Sequence, residues 1–386
     1  MLFFLRLTFR NLLRHKLRTG LTALGIVIAI VAFVLLRTVV DAWYAGAEAT
    51  SANRLITRNA ISLIFPLPIG YAGRIRQVDG VTGLSYSNWF GGVYIDERNF
   101  FPNFAVEPKT YLELYPELVL PEAEKAAFIK DRKGAIAGRK LAETYGWKIG
   151  DAIPLRGTIY AGNWSFVLRG IYRGAEKKTD ETLFLFHWDN LNETLKKTDL
   201  SRADRVGVYV VRIDRAERAA EISEAIDRLF ENSLAETLTE TEKAFQLGFV
   251  AMTEAILIAI KIVSFVVIGI IMAVMANTMA MSVRERRREY ATLKAIGFGG
   301  RYLLGLIMGE SLVLSVSSGI LGILAAFPAS NFLVTLFGTL FPAVDVSTQT
   351  IGLSLLASYL IGLTAAVFPA WRVITLPVGE GLRSIG

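Results

Sequence analysis

Few of the 386 residues carry groups that make or break covalent bonds. Cysteine is absent, which removes disulfides, thiolate metal sites and a cysteine nucleophile. The two histidines, His15 and His187, lie far apart in sequence, so a histidine-based metal site is not expected. The stretch Gly134-Ala-Ile-Ala-Gly138-Arg-Lys140 comes nearest to a phosphate loop, but it lacks the spacing between the first glycine and a Lys-Ser/Thr pair. It reads as an ordinary turn leading into a helix. The remaining chemistry is electrostatic. Glu254 and Lys261 stand seven residues apart, so two turns along roughly one helical face, and Glu310 sits in apolar surroundings with no basic residue near it in sequence. Charges in such settings are functional candidates by default, although a snorkelling interfacial pair explains Glu254 and Lys261 equally well.

A fourth candidate is the segment Val283–Phe298, where charge gives way to an amphipathic pattern. Arg284, Arg287 and Arg288 share a face and repel one another unless an anionic lipid or an acidic partner neutralises them. Glu289, Tyr290, Leu293 and Lys294 follow at helical spacing, and Gly297 ends the pattern. Tyr290, Leu293, Lys294 and Gly297 are suited to filling a groove in a cytosolic protein. A basic loop that merely fixes topology would need the charges but not the apolar face.

These candidates must be positioned by apolar helices. Hydrophobic residues make up 53% of the chain beside 20% charged ones, and the two kinds are segregated. Gly20–Leu36, Ile262–Val283, Ser311–Val344 and Val346–Trp371 contain no charge. A helix crossing the hydrocarbon core needs about 20 apolar residues, so the chain reads as polytopic with four spans. The net charge of +7 is not a nucleic-acid signal once mapped. Residues 44–246 hold 27 Lys/Arg against 28 Asp/Glu, while the basic excess lies in 1–19, 283–301 and 372–386, the short flanks of apolar runs. That is positive-inside patterning, with both termini cytoplasmic.

Residues 3–18 read as a basic amphipathic helix on the inner leaflet rather than a cleaved leader, with Arg6, Arg10, Arg14 and Arg18 along one stripe. Strand-like stretches Phe166–Tyr172 and Val206–Ile213, turn signals at Gly91-Gly92, Gly150-Asp151 and Gly162, and helical periodicity over Glu217–Phe230 indicate an α+β domain between the first two spans. Nothing breaks a helix strongly from Glu231 to Met281, so the second span is expected to continue a helix that starts outside. Gly305-x-x-x-Gly309, Ser315/Gly319, Ser318/Gly322 and the stripe Ser358, Gly362, Ala366 predict close helix packing. The apolar segment Asn331–Pro342 is read as an interfacial or re-entrant helix, too short to span.

Several motifs, in this order, resemble the permeases of MacB/FtsX/lipoprotein-releasing ABC transporters, the mechanotransmission group. They are Asn11–Ile26, Gln77–Val81, Gly138–Asp151, Val167–Ile171, Arg286–Gly297, Gly309–Leu312, and Phe368–Arg372 with Pro377-Val378 and Leu382-Arg383. The resemblance covers most of the chain. It implies a membrane α-helical bundle of four transmembrane helices with an inserted α+β extracytoplasmic domain. The resulting division is a cytoplasmic amphipathic helix at 1–18, spans at 19–43, 247–283, 301–328 and 350–371, a MacB-like core with stalk at 44–246, a coupling segment at 284–300, an outer loop at 329–349 and a cytoplasmic tail at 372–386. It further implies an ATPase-coupling helix at about Glu289–Gly297, an ABC ATPase subunit that binds the ATP, a second permease copy or paralogue, a periplasmic adaptor and contact with membrane lipids. No cofactor, metal, catalytic residue or nucleic acid is expected of the chain itself. Transmission of ATPase motion across the bacterial inner membrane to the extracytoplasmic domain, for export or extraction of substrate with an adaptor, is the leading reading. Lipid or lipoprotein extraction, and a signal transmitter that switches an extracytoplasmic hydrolase, are the alternatives.

Overall fold

A computed structural model describes residues 13–48, 50–97, 99, 101–176, 178–337 and 346–375. Arg6 and Arg10, most of the expected amphipathic helix, and Pro377, Val378, Leu382 and Arg383 lie outside the described residues. The chain divides into two compact units, one containing the long apolar helices and the other residues 42–253.

Four helices in the first unit are long and apolar enough to cross a membrane: Lys16–Tyr44, Glu254–Glu285, Gly300–Phe332 and Thr348–Thr375. Small residues decide how they pack. A Cβ on Gly362 would lie 3.0 Å from the Leu312 Cα and collide with Ser315 Oγ, while one on Gly322 would lie 2.8 Å from Ile30 Cβ. Ser354, Ser358, Ile361, Ala365 and Ala366 are buried on the same fourth-span stripe, and Ser311 Oγ donates to the Gly362 carbonyl at 2.6 Å. These contacts bring the third span against the first and fourth. Gly305 and Gly309 behave differently, with open space where a Cβ would stand, so this pair makes no close approach inside the chain. At the outer end, the hydroxyls of Ser347 and Thr350 both donate to Asp41 Oδ2 at 2.9 Å, and Arg37 Nε lies 3.4 Å from Asp41 Oδ1. The third-span helix runs on through Pro328 to Phe337. Phe332–Phe337 therefore extends that helix instead of starting a separate interfacial one, and residues 338–345 lie outside those described.

The second unit is built on a mixed sheet. In spatial order its strands are Thr237–Thr241, Arg54–Asn59, Val208–Ile213, Val81–Trp89, Asn103–Val106, Phe184–His187, Gly134–Gly138, Gly162–Gly174, Ala152–Gly157 and Gly92–Val93. Central strands are covered on both faces. Along Phe184–His187, Phe184 and Phe186 join one apolar cluster with Phe90, Phe101 and Phe166, while Leu185 joins the opposite cluster with Phe128 and Tyr172. The region after Glu231 departs from the helix expected there. Thr237-Leu-Thr-Glu-Thr241 alternates β-branched residues with period two, and it pairs antiparallel with Arg54–Asn59 as an edge strand. Thr57 and Thr239 hydroxyls meet at 2.9 Å across that pair. Helix resumes at Glu242, capped by Thr241 Oγ1 accepting from the Ala244 amide, then pauses at Thr253 before the second span begins.

Chain entry and exit of this unit are clamped together. Arg54 Nε donates to Glu242 Oε2 at 2.7 Å, and its Nη1 donates to the Leu114 carbonyl and to Glu117. Tyr115 donates to the second Glu242 oxygen at 2.9 Å, and the Arg54 guanidinium lies over the Tyr115 ring. Arg54 and Glu242 are 4% and 5% exposed, so each needs the other to remain charged there.

Gly362→Val is expected to destabilise the bundle by about 1–3 kcal/mol through overpacking, read as a lowered thermal midpoint in detergent. Gly305→Ala, which meets open space, should leave that midpoint level or raise it.

Candidate functional site: a helix tethered to the inner ends of the spans

The second-span helix ends at Glu285, Arg286 is non-helical, and a short helix follows over Arg287–Ala295. The break at Arg286 sends its side chain inward. Its Nη1 donates to Glu310 Oε2 at 2.8 Å and its Nε to Glu289 Oε2 at 3.0 Å. With side chains 8% and 7% exposed, Arg286 and Glu310 form a buried ion pair between the second-span exit and the third span. Removing one partner would strand the other charge in an apolar bundle. Arg286 also lies over the Tyr290 ring, 5.2 Å from its centre.

The same short helix is bound to the remaining spans. Glu289 accepts a hydrogen bond from Arg14, and Glu285 accepts one from Arg18 at 2.7 Å, with His15 Nε2 at 3.5 Å. Both arginines belong to the start of the first-span helix and the turn before it. Lys294 Nζ donates to the Ile374 carbonyl at 2.6 Å, near the end of the fourth-span helix. Gly297 then stops the helix in a left-handed conformation, φ +100°. Its amide bonds to Lys294 O and the Phe298 amide to Leu293 O, both at 3.0 Å, so the last carbonyls are satisfied.

The expected residues thus fall into distinct places. Arg284 and Arg288 are exposed; Arg287, Glu289, Leu293 and Lys294 are half-buried; and Tyr290 is 1% exposed in the bundle core. Tyr290 therefore faces its own spans and not an external groove. Its bulk serves as a packing anchor under the Arg286 guanidinium. The outward face carries Arg284, Arg288 and Thr292, continued by Ile296 at 71% exposure and Phe298 at 39%. Arg286, Ile296 and Phe298 were not singled out by sequence. The signal for Arg286 was available in Glu310, since a carboxylate at that depth requires a cation.

Glu254 and Lys261 belong elsewhere. Glu254 opens the second-span helix, exposed at the N-terminal end of the helix dipole, and Lys261 is half-buried two turns further along. They lie about 45 Å and about 35 Å, respectively, along the helix from Arg284 by its rise per residue. The Gly134–Lys140 motif is likewise structural. Gly134–Gly138 is a buried strand followed by helix Arg139–Tyr145, and the Gly138 and Leu141 amides donate to Leu183 O and Glu181 O. A Cβ on Gly138 would lie 2.7 Å from the Glu181 Cα, so this glycine allows backbone contact and leaves no phosphate cradle. His187 Nε2 is bound to the Phe128 carbonyl at 2.6 Å, and burial holds its ring below the usual histidine range.

Comparison with known proteins gives a consistent assignment. Residues 19–229 match the family model of the MacB-like periplasmic core domain, and residues 261–378 match that of the FtsX-like permease C-terminal domain. An uncharacterised ABC transporter permease of Methanocaldococcus jannaschii is 23% identical over 97% of this chain and 96% of its own length. The permease YvrN of Bacillus subtilis is 25% identical over 99% of this chain and all of its own. The macrolide export ATP-binding/permease protein MacB of Nitrobacter winogradskyi is 25% identical over 98% of this chain, which spans 59% of that protein. Among solved structures, the extracellular domain of the noncanonic ABC-type transporter YknZ covers 49% of this chain at 13% identity and a TM-score of 0.35.

Arg286→Met is expected to cost about 3–5 kcal/mol by leaving Glu310 unpaired, with Arg286→Met/Glu310→Leu recovering most of the lost thermal midpoint. A pH dependence also follows. Partial burial opposes ionisation of Glu289, but hydrogen bonds from Arg286 and Arg14 outweigh it and hold the carboxyl below its ordinary value of 4.5. The tether is therefore fully present above that value and is lost as pH falls through the lower folded one. Hydrogen exchange over residues 287–295, corrected for intrinsic rate, should rise on acidification, and Glu289→Gln should show the raised level already at neutral pH.

Proposed function

The chain belongs to the MacB/FtsX-type ABC transporter permeases, and on that footing we propose that it carries the motion of a cytoplasmic ATPase across the inner membrane to its extracytoplasmic domain. There the motion drives export or extraction of a substrate with a periplasmic adaptor. ATP binding and hydrolysis belong to the partner, and this chain supplies the mechanical linkage.

One observation carries the reading. The helix Arg287–Ala295 follows the second span directly after the break at Arg286, and this break and helix are bonded to the first, third and fourth spans through Glu289, Arg286 and Lys294. A push on its outward face is passed to the inner ends of all the spans through these bonds, of which the buried Arg286–Glu310 pair is the costliest to break because it lies in a poorly solvated place. The outward face suits a protein groove: Ile296 and Phe298 supply apolar anchors, and Arg284 and Arg288 supply charge for an acidic rim. Basic flanks support a cytoplasmic position for both termini by the positive-inside rule. Gly305 and Gly309, open at their Cβ positions, provide a close-packing surface for a second permease copy.

The test is a mild-detergent pull-down of the tagged full chain with mass spectrometry of every co-purifying protein. An ABC ATPase is expected, and Arg284→Glu/Arg288→Glu or Ile296→Asp should reduce its recovery roughly tenfold while membrane insertion is unchanged. Undiminished ATPase recovery with both variants would remove the docking role. A preserved permease dimer without any ATPase would overturn the coupling function itself.

A further inference from the structure

The outer domain contains a feature that the coupling role does not use. A cleft of about 800 Å³ opens between the helices Glu122–Lys130 and Arg139–Tyr145 and the strand Gly162–Gly174. Leu120, Ala142, Trp147 and Ile171 form much of its apolar lining, and Val119 and Ile149 reach its lips at 49% and 52% exposure. Local backbone features create the cleft. The short strand Leu118–Val119 pairs Val119 opposite Arg173, which sets one wall. Gly146, at φ +67°, ends helix Arg139–Tyr145 with its amide on Ala142 O and Glu143 O. The chain then turns so that Trp147 enters the core while Lys148 and Ile149 stay at the surface.

The charges in the lining are unequally engaged. Arg139 is held by Glu143 at 3.1 Å and Glu181 at 2.8 Å. Glu124 Oε2 accepts the Ile171 amide at 2.9 Å. Both lining carboxylates, Glu124 and Glu143, are thus already bonded. Arg173 and Lys148 are exposed and have no side-chain hydrogen bond or ion pair among the described residues. Two unengaged cations therefore border an apolar recess.

We propose that this cleft binds a small anionic amphiphile, an apolar chain or ring bearing a carboxylate, whose apolar part lies against Leu120, Trp147 and Ile171 and whose anion meets Arg173 and Lys148. The volume lies within the ~300–1,000 Å³ of small-molecule sites, and Arg173 offers the planar fork that holds a carboxylate by two bonds. A cationic ligand would be repelled by both free charges. This site does not rest on ATPase coupling, and its test requires no nucleotide.

The full chain in nanodiscs of zwitterionic lipid would be exposed to a medium-chain carboxylate carrying a diazirine, photolysed and mapped by peptide mass spectrometry. Adducts are expected on peptides containing Val119 or Ile149. Arg173→Glu/Lys148→Glu should reduce those adducts roughly tenfold, and the corresponding alcohol probe should label wild type no better than that variant. Ile149→Trp, which narrows the recess without altering charge, should also reduce labelling while thermal midpoint and circular dichroism stay level. Cleft labelling unchanged by charge reversal, or labelling confined to the spans, overturns the proposal. Loss of cleft labelling when anionic lipid replaces zwitterionic lipid would assign the site to a lipid headgroup and overturn the small-amphiphile ligand.

Discussion

The inner end of the helical bundle depends on one buried ion pair, Arg286 with Glu310. Neither charge is tolerable there alone, since desolvating a single ion costs several kcal/mol even after the surroundings relax. The pair therefore fixes the point at which the second span must stop being a helix: Arg286 leaves helical geometry so that its side chain can turn inward. Once it has done so, Tyr290 is drawn beneath the guanidinium, Glu289 is brought to both Arg286 and Arg14, and Lys294 comes within reach of the fourth span. Packing alone would hold these elements near one another. The ion pair gives them a single register, because a shift by one residue would break it.

A similar device secures the extracytoplasmic unit. Arg54 lies just after the chain enters that unit and Glu242 just before it leaves, and the two are joined in a nearly water-free setting with Glu117 and Tyr115. Entry strand and exit helix are thus bonded side by side, with the edge strand Thr237–Thr241 continuing the connection along Arg54–Asn59. In both units a buried arginine joins segments far apart in sequence. Short directional bonds in a low-dielectric interior resist displacement better than non-directional apolar contact, which suits the force-carrying linkage proposed for this chain.

Much of the architecture is legible before any coordinates. Charge-free runs identify the spans, because water and lipid impose opposite demands on side chains over a length that the bilayer sets. The basic flanks and the amphipathic segment ending at Gly297 mark where a short inner helix must lie. Two departures of the fold within the chain from its local pattern have a common origin. The stretch after Glu231 lacks helix breakers, yet Thr237–Thr241 becomes a strand because Arg54–Asn59 offers it a partner; local propensity is overruled by a pairing remote in sequence. Gly305-x-x-x-Gly309 has the spacing of a packing motif but faces open space, whereas Gly319, Gly322 and Gly362 make the close contacts. Spacing shows that a face is small, not what lies opposite it.

Sequence by itself determined the number of spans, the α+β character of the inserted domain, the basic inner face and the family to which these belong. The first three follow from composition and periodicity along the chain and the family from the resemblance of its ordered motifs, all of which a linear reading contains. Tertiary structure alone decided that Arg286 neutralises Glu310 across 24 residues, that Tyr290 is a bundle anchor while Ile296 and Phe298 face outward, and that Arg173 and Lys148 border an apolar cleft. Those outcomes turn on which side chains share a few ångströms of poorly solvated space. Electrostatic energy there depends on distance and burial, and neither quantity exists until the chain has folded.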